Sequence, residues 1–364
     1  MRTALYNPVG WIRGNEDKRL KDKLSYVGWN TGNLVYVDAL KHQLTNPLDT
    51  WFGLEGDLNK IKSGVIPSSN SISIMDTALE DQSKAIEKVP FPVTLVGLGA
   101  QSTSDLNTPK KLVNALPESR RNALRKIADQ AVSIGVRGAF TAECLEKLNI
   151  HNFRIIGCPS LYFCESGFEN IINKEIKGIN TVFNVTSEAA LQYLILELGI
   201  KYNLHWIMQT MGEFALTLFN NTKLVQGNII RSFPGMQIDI NTLQNFIHTN
   251  ANMFFSMDDW YGYLKDNKYD FAFGSRFHGN VAAFRCGIPA LWVTHDTRTK
   301  ELVKLFHLPH INISEMKNIN NIEQLIEKCD YNEFSKYYGE VRKEYISFLE
   351  ENDLDNNIQK NEVI

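Results

Sequence analysis

Along most of the chain, short runs of β-branched and apolar residues alternate with stretches whose apolar positions recur at helical spacing. Thr94 to Leu98 (TLVGL) reads as a buried strand closed by Gly97 and Gly99. Glu118 to Ala131 puts Ala123, Leu124, Ile127, Ala128 and Ala131 on one face of an amphipathic helix, with Pro117 near its first turn. Val132 to Val136 alternates as a strand, Phe140 to Leu148 returns to helix, and Arg154 to Ile156 is a short strand stopped by Gly157 and Pro159. A polar stretch, Glu165 to Asn180, breaks the pattern, which then restarts. Strands are predicted at Thr181 to Val185, His205 to Met208, Asp270 to Phe273 and Ala290 to Thr294, with helices at Ala189 to Leu198 and near Asn280 to Cys286. Strands alternating with helices predict parallel sheets. The expected architecture is therefore α/β, with two domains, residues 1–170 and 171–340, facing each other across a cleft. Residues 341–364 form a C-terminal helix or tail that packs back on the N-terminal domain, and the polar end from Glu350 is expected to fray.

Composition supports this and narrows the function. A length of 364 residues suits two domains, and 43% hydrophobic against 22% charged residues gives a packed core and excludes wholesale disorder. With 38 basic and 41 acidic residues the net charge is −3, so the basic excess of a nucleic-acid binder is missing. The N-terminal MRTALYNPVGWIRGNEDKRLKDKL carries charges where a secretory signal needs an apolar core. The best apolar run, Ala190 to Ile200, is broken by Gln192, Glu197 and Gly199, well short of the roughly 18 residues of a membrane span. A soluble, intracellular protein is expected. Cys144, Cys158, Cys164, Cys286 and Cys329 are odd in number and scattered, which predicts buried free thiols in a reducing compartment and no zinc site.

In parallel sheets, ligands bind beyond the carboxyl ends of the strands, beside helix N-termini with unpaired N–H groups. Three turns stand out. After the strand Asp270 to Phe273 come Gly274, Ser275, Arg276, Phe277, His278 and Gly279. Arg276 offers a planar fork for a carboxylate or phosphate, His278 titrates near neutrality, and Gly279 permits close backbone approach. The alternative is that Arg276 pairs with a structural carboxylate and His278 caps the helix. After Ala290 to Thr294 come His295, Asp296, Arg298, Lys300 and Glu301, where Asp296 and Glu301 either compensate the cations or leave a solvated helix start. After Val132 to Val136 comes Arg137, which either reaches into the cleft or bonds neighbouring loop carbonyls. Asn30 to Asn33 resembles a turn opening a helix, Gln101 follows the strand Thr94 to Leu98, and Glu213 after His205 to Met208 is an acid/base candidate. No H-E-x-x-H, G-x-S-x-G or Walker-type loop is present.

Gly274-Ser275-Arg276-Phe277-His278-Gly279, followed by Gly287, Pro289 and His295-Asp296-x-Arg298-Thr299-x-Glu301, resembles the polysaccharide pyruvyl transferase family. Ile134 to Gly138, Gly157 to Ser160, Gly97 to Gln101 and Asn30 to Asn33 extend the resemblance over roughly residues 25–310, with Asn33 where that family usually has Asp. The resemblance implies two Rossmann-like domains in a GT-B-like arrangement. It implies transfer of pyruvate from phosphoenolpyruvate to a sugar of a capsule, exopolysaccharide or wall polymer, or to its precursor, as a cyclic ketal with release of phosphate. Arg276 and His278 then match the donor-site Arg and His, Lys300 or Arg298 the downstream basic position, and Arg137 the mid-chain Arg. Neither a metal nor another cofactor is implied. The expected partners are phosphoenolpyruvate and a glycan acceptor, free or lipid-linked, and oligomerisation stays open. The expected location is the cytoplasm, with peripheral contact at the inner membrane face for a lipid-linked acceptor. Catalytic roles fall to His278, Arg276 and Glu213; substrate-binding roles fall to Arg137, Ser275, Gly279, Arg298, Lys300, Asn30 and Gln101. A GT-B nucleotide-sugar glycosyltransferase, with Glu301 on the ribose, and a non-catalytic glycan binder are the rival readings.

Overall fold

Six parallel strands build the first sheet: β1 (Arg2–Tyr6), β2 (Leu48–Thr50), β3 (Ile61–Pro67), β4 (Val93–Leu98), β5 (Ile134–Val136) and β6 (Phe153–Ile155), in the order β2-β1-β3-β4-β5-β6. Six more build the second: β7 (Thr181–Asn184), β8 (His205–Ile207), β9 (Ala251–Asn252), β10 (Phe271–Gly274), β11 (Ala290–Thr294) and β12 (His310–Asn312), in the order β12-β11-β10-β7-β8-β9, again all parallel. The computed structural model describes residues 2–6, 19–50, 58–102, 105–162, 169–187, 189–218, 227 and 231–358. Cys164 and the start of the polar stretch from Glu165 lie outside the described residues.

The strands legible as continuous apolar runs are central ones. Every residue of β4, β10 and β11 is buried, because helices cover both faces of a parallel sheet. The helix Glu118–Gln130 lays Ala123, Leu124, Ile127 and Ala128 against the first sheet, as its spacing predicts. A second core, around Phe183, Trp206 and Phe273, belongs to the other sheet. Two α/β units with parallel sheets thus face a shared cleft.

A third core joins the units, and the last helix, Asn332–Glu351, supplies much of it. Tyr345 stacks on Tyr162 with ring centroids 4.0 Å apart and donates to Gln43 Oε1 at 2.8 Å, while Tyr338 donates to Leu161 O at 3.1 Å. Arg154 binds Glu344 and Glu351, each at 2.6 Å. The expected fraying does not begin at Glu350. Leu354 and Ile358 are buried, and the Thr45 amide donates to Asp355 O at 2.8 Å, so two apolar side chains and backbone pairing hold residues 350–358 against the N-terminal unit. Residues 359–364 lie outside the described residues. Among the described residues, no helix is long and apolar enough to cross a membrane.

Candidate functional site

The carboxyl ends of both sheets open onto one cleft of about 290 Å³. Its N-terminal wall carries Asn30, Asn33, Asn70, Asp76, Gln101 and Arg137; its C-terminal wall carries Ser275, Arg276, His278, His295 and Arg298. The turns after β10 and β11 meet there because those strands are hydrogen-bonded neighbours. Seven of the ten expected site residues border the cleft: Asn30, Gln101, Arg137, Ser275, Arg276, His278 and Arg298. Glu213, Gly279 and Lys300 do not.

The turn after β10 is held by an asparagine relay. Asn184, the last residue of β7, accepts from the Arg276 amide at 2.7 Å and donates to Asn280 Oδ1 at 2.7 Å. Asn280 in turn donates to Gly274 O at 2.9 Å, fixing the start of the helix Phe277–Arg285. Gly274 has φ +151°, and a Cβ there would overlap the Asn184 carbonyl oxygen. Gly279 does not border the cleft; it lets Gln209 and Asn184 approach, since a Cβ would collide with both side-chain amides. Ser275, although at the cleft wall, donates to Gln192 Oε1 at 2.6 Å.

Arg276 is 14% exposed and pairs with Glu213, while also donating to Thr210 Oγ1 at 2.9 Å and Val185 O at 3.3 Å. The structural-carboxylate alternative for this arginine is therefore real. Glu213 is fully buried, with the Gln209 amide donating to it at 2.6 Å and Thr210 Oγ1 at 3.0 Å. A carboxylate so enclosed, away from the cleft, is no proton carrier for a ligand. It positions Arg276, which corrects the acid/base expectation.

His278 does not cap its helix; Arg276 occupies the N-cap position. The imidazole Nε2 lies 3.4 Å from Cys158 Sγ, and its ring centroid is 5.2 Å from that of Tyr36. Nδ1 is the nitrogen left for a ligand. Burial, reinforced by the Arg137 and Arg298 guanidinium groups, holds this histidine well below its ordinary pKa, so it is neutral at pH 7. His295 is lowered as well, first by burial, and its buried Nδ1 has no partner among the described residues.

Arg137 is 3% exposed and donates to Gly97 O at 2.8 Å, Asn70 Oδ1 at 2.9 Å and Ser68 O at 3.3 Å. Its guanidinium also sits 5.9 Å from the Tyr36 ring centroid. All of these partners are neutral. A buried cation without a hydrogen-bonded carboxylate is costly unless an anion arrives. Arg298 is paired with Asp296, the N-cap of the helix Thr297–Phe306. Lys300 is exposed on that helix and does not face the cleft, because its position lies on the solvent side of the first turn. Between the two downstream basic candidates, Arg298 is the one at the cleft.

Glu301 crosses between the units. It accepts from Thr141 Oγ1 at 2.9 Å and from the Thr141 amide at 3.3 Å, and burial raises its pKa to about 7 despite those bonds. The expected ribose ligand of the rival reading is thus engaged in the contact between the two units. Asn184, Cys158, Gln209 and Asp76 are cleft or supporting residues that the sequence does not assign to the site, and His295, named in the turn after β11, also borders the cleft. The signal available for Asn184 and Gln209 is position alone, at or just past a strand's carboxyl end. No group of three or more His, Cys, Asp or Glu able to hold a metal occurs among the described residues.

A family model for polysaccharide pyruvyl transferase matches residues 85–297, which span the turns carrying Arg137, Arg276 and His278. The chain belongs to the polysaccharide pyruvyl transferase family. No curated protein matches the chain in sequence. Among solved structures, a functionally uncharacterised Klebsiella pneumoniae protein is similar at 12% identity and TM-score 0.38, covering 76% of this chain and 84% of that one. S. aureus MnaA with UDP is similar at 12% identity and TM-score 0.39, covering 98% and 100%. A Listeria monocytogenes protein assigned to UDP-N-acetylglucosamine 2-epimerase is similar at 10% identity and TM-score 0.44, covering 100% and 98%.

Proposed function

We propose that this polysaccharide pyruvyl transferase takes pyruvate from phosphoenolpyruvate and sets it as a cyclic ketal on two hydroxyls of a sugar, in a surface polysaccharide such as a capsule or exopolysaccharide, or in its precursor. The observation that carries the reading is Arg137: a buried guanidinium with only neutral partners, beside a neutral histidine, at the wall of a cleft that also receives Arg276 and Arg298. Phosphoenolpyruvate bears a carboxylate and a phosphate on the same carbon, and planar guanidinium forks are suited to both. Two of the three forks already hold a carboxylate, whereas Arg137 hydrogen-bonds only neutral groups and feels Glu301 through space. Arg137 thus offers the fork not bonded to an acid, and Arg276 and Arg298 contribute directed N–H groups. Donor binding then changes His278. Burial is the largest influence holding its pKa down, with the Arg137 and Arg298 guanidinium groups adding to it. The anion offsets the guanidinium part, and in this scheme the histidine takes up a proton as the donor seats.

Charged His278 gives that proton to the donor's methylene carbon, and the neighbouring carbon becomes open to attack by the first sugar hydroxyl. Loss of phosphate follows as the second hydroxyl closes the ketal and returns a proton to His278. A positioned acid/base of this kind contributes about 10²–10⁴-fold. No further cofactor enters this scheme; the site lies in a chain read as cytoplasmic, working on a free or lipid-linked acceptor. The test has two parts. Phosphoenolpyruvate, and not UDP, is expected to raise the melting temperature. Phosphate release with methyl hexopyranosides as acceptors is expected to fall by about 10²-fold or more in His278→Ala and Arg276→Ala. Wild-type-like release by both folded variants removes them from the mechanism, and stabilisation by UDP alone transfers the cleft to a nucleotide-sugar donor.

A further inference from the structure

The proposed reaction removes a proton from each of two hydroxyls, and His278 accounts for one. The opposite wall of the cleft holds a group for the other. Asp76 follows β3 in the N-terminal unit and is the only carboxylate among the described residues bordering the cleft. Glu213 and Asp296 lie behind the opposite wall, each committed to a guanidinium. Asp76 forms no ion pair among the described residues; the Ala78 amide donates to its Oδ1 at 2.9 Å, and Oδ2 has no partner there. Asp76 and His278 border the same cleft, and the Asp76 charge acts on Tyr36, one of the two rings packed on His278. Beside it, Met75 borders the cleft while 84% exposed. Asn70 and Ser73 on the same wall add polar atoms. An apolar lip next to a carboxylate, an amide and a hydroxyl matches a sugar ring, which has C–H faces and hydroxyl edges.

We propose that this wall is the acceptor subsite and that Asp76 Oδ2 is the base that takes the proton of the first attacking sugar hydroxyl. The inference rests on the pyruvyl-transfer reading and completes its proton balance. The first hydroxyl proton goes to Asp76 as the sugar O–C bond forms at the donor's middle carbon and charged His278 protonates the methylene to methyl. The C–O bond to phosphate then breaks, the second sugar oxygen closes the ketal, and its proton restores charged His278. The Asp76 proton leaves with phosphate as hydrogen phosphate. Atoms and charge balance with no oxidant, reductant or further reactant.

The discriminating variant is Asp76→Asn, whose carbonyl oxygen still accepts from the Ala78 amide but is not a base. With phosphoenolpyruvate and a panel of methyl hexopyranosides, kcat for phosphate release is expected to fall about 10²–10⁴-fold with KM for phosphoenolpyruvate and melting temperature unchanged. Asp76→Glu, which keeps a carboxylate, is expected to recover part of the loss. Wild-type kcat in Asp76→Asn overturns the assignment while leaving the pyruvyl-transfer reading intact. So does equal loss in both variants, since a group acting only as a base is rescued by another carboxylate. Absence of transfer by the wild-type protein overturns both readings together.

Discussion

Glu301→Gln separates charge from shape at the contact between the two units. Glu301 accepts the Thr141 amide on Oε2 and the Thr141 hydroxyl on Oε1. In glutamine the carbonyl oxygen can keep the amide bond while the side-chain NH2 donates to the Thr141 hydroxyl oxygen, as a protonated carboxyl would. The difference lies in ionisation. Burial, the largest influence, raises the folded-state pKa from an ordinary 4.5 to about 7, with the Thr141 bonds and Arg137 pulling the other way. At about 1.4 kcal/mol for each tenfold change in acidity, holding Glu301 charged in the fold costs about 3 kcal/mol. The folded protein binds this proton more tightly than the unfolded chain, so the contribution is fully present below pH 4.5 and is lost as pH rises through 7. Glutamine carries no such dependence. Thermal unfolding followed by circular dichroism at pH 5 and pH 8 should give similar melting temperatures for the two proteins at pH 5. At pH 8 the variant should melt higher by at least about 3 °C. An advantage of equal size at both pH values, or a variant weaker at pH 8, would refute the buried-charge argument.

Other perturbations reach the cleft itself. Glu213→Ala leaves Arg276 enclosed without its carboxylate and should cost about 3–5 kcal/mol in urea unfolding, together with donor affinity. Gly274→Ala places a Cβ on the Asn184 carbonyl at a φ of +151° and should cost more than about 2 kcal/mol, read from the same unfolding curves. In the proposed mechanism His278, neutral in the free protein, gains charge beside the donor, so phosphoenolpyruvate should bind more tightly as pH falls from 8 to 6. Calorimetry in buffers of different ionisation enthalpy should show proton uptake, and uptake retained in His278→Ala would assign it elsewhere.

The parts of the fold legible in the sequence were those with one-dimensional signatures. TLVGL and ALWVT read as strands because a central parallel strand is buried on both faces and therefore continuously apolar. β1 and β3 were not legible, since RTALY and IKSGVIP mix polar residues into short runs, and β9 and β12 are edge strands of two and three residues. Gly-Ser-Arg-Phe-His-Gly marked its turn through residue chemistry at a strand end. What sequence could not give was pairing across long separations. Glu213 looked like a free acid because nothing in the chain shows Arg276 folding onto it, and Glu301 looked like a local counter-charge although its partner, Thr141, lies 160 residues away. Fraying from Glu350 fails over residues 350–358 for the same reason, because Leu354 and Ile358 are few, yet the surface they cover is distant in sequence.

A crystal of the protein soaked with phosphoenolpyruvate puts the anion cleft to its most direct test. The donor's carboxylate and phosphate should lie within hydrogen-bonding distance of the Arg137, Arg276 and Arg298 guanidinium groups, with the methylene carbon facing His278. Phosphoenolpyruvate held instead at exposed cations such as Lys300, with Arg137 still satisfied by Gly97, Asn70 and Ser68 alone, would contradict a donor site between the two sheets.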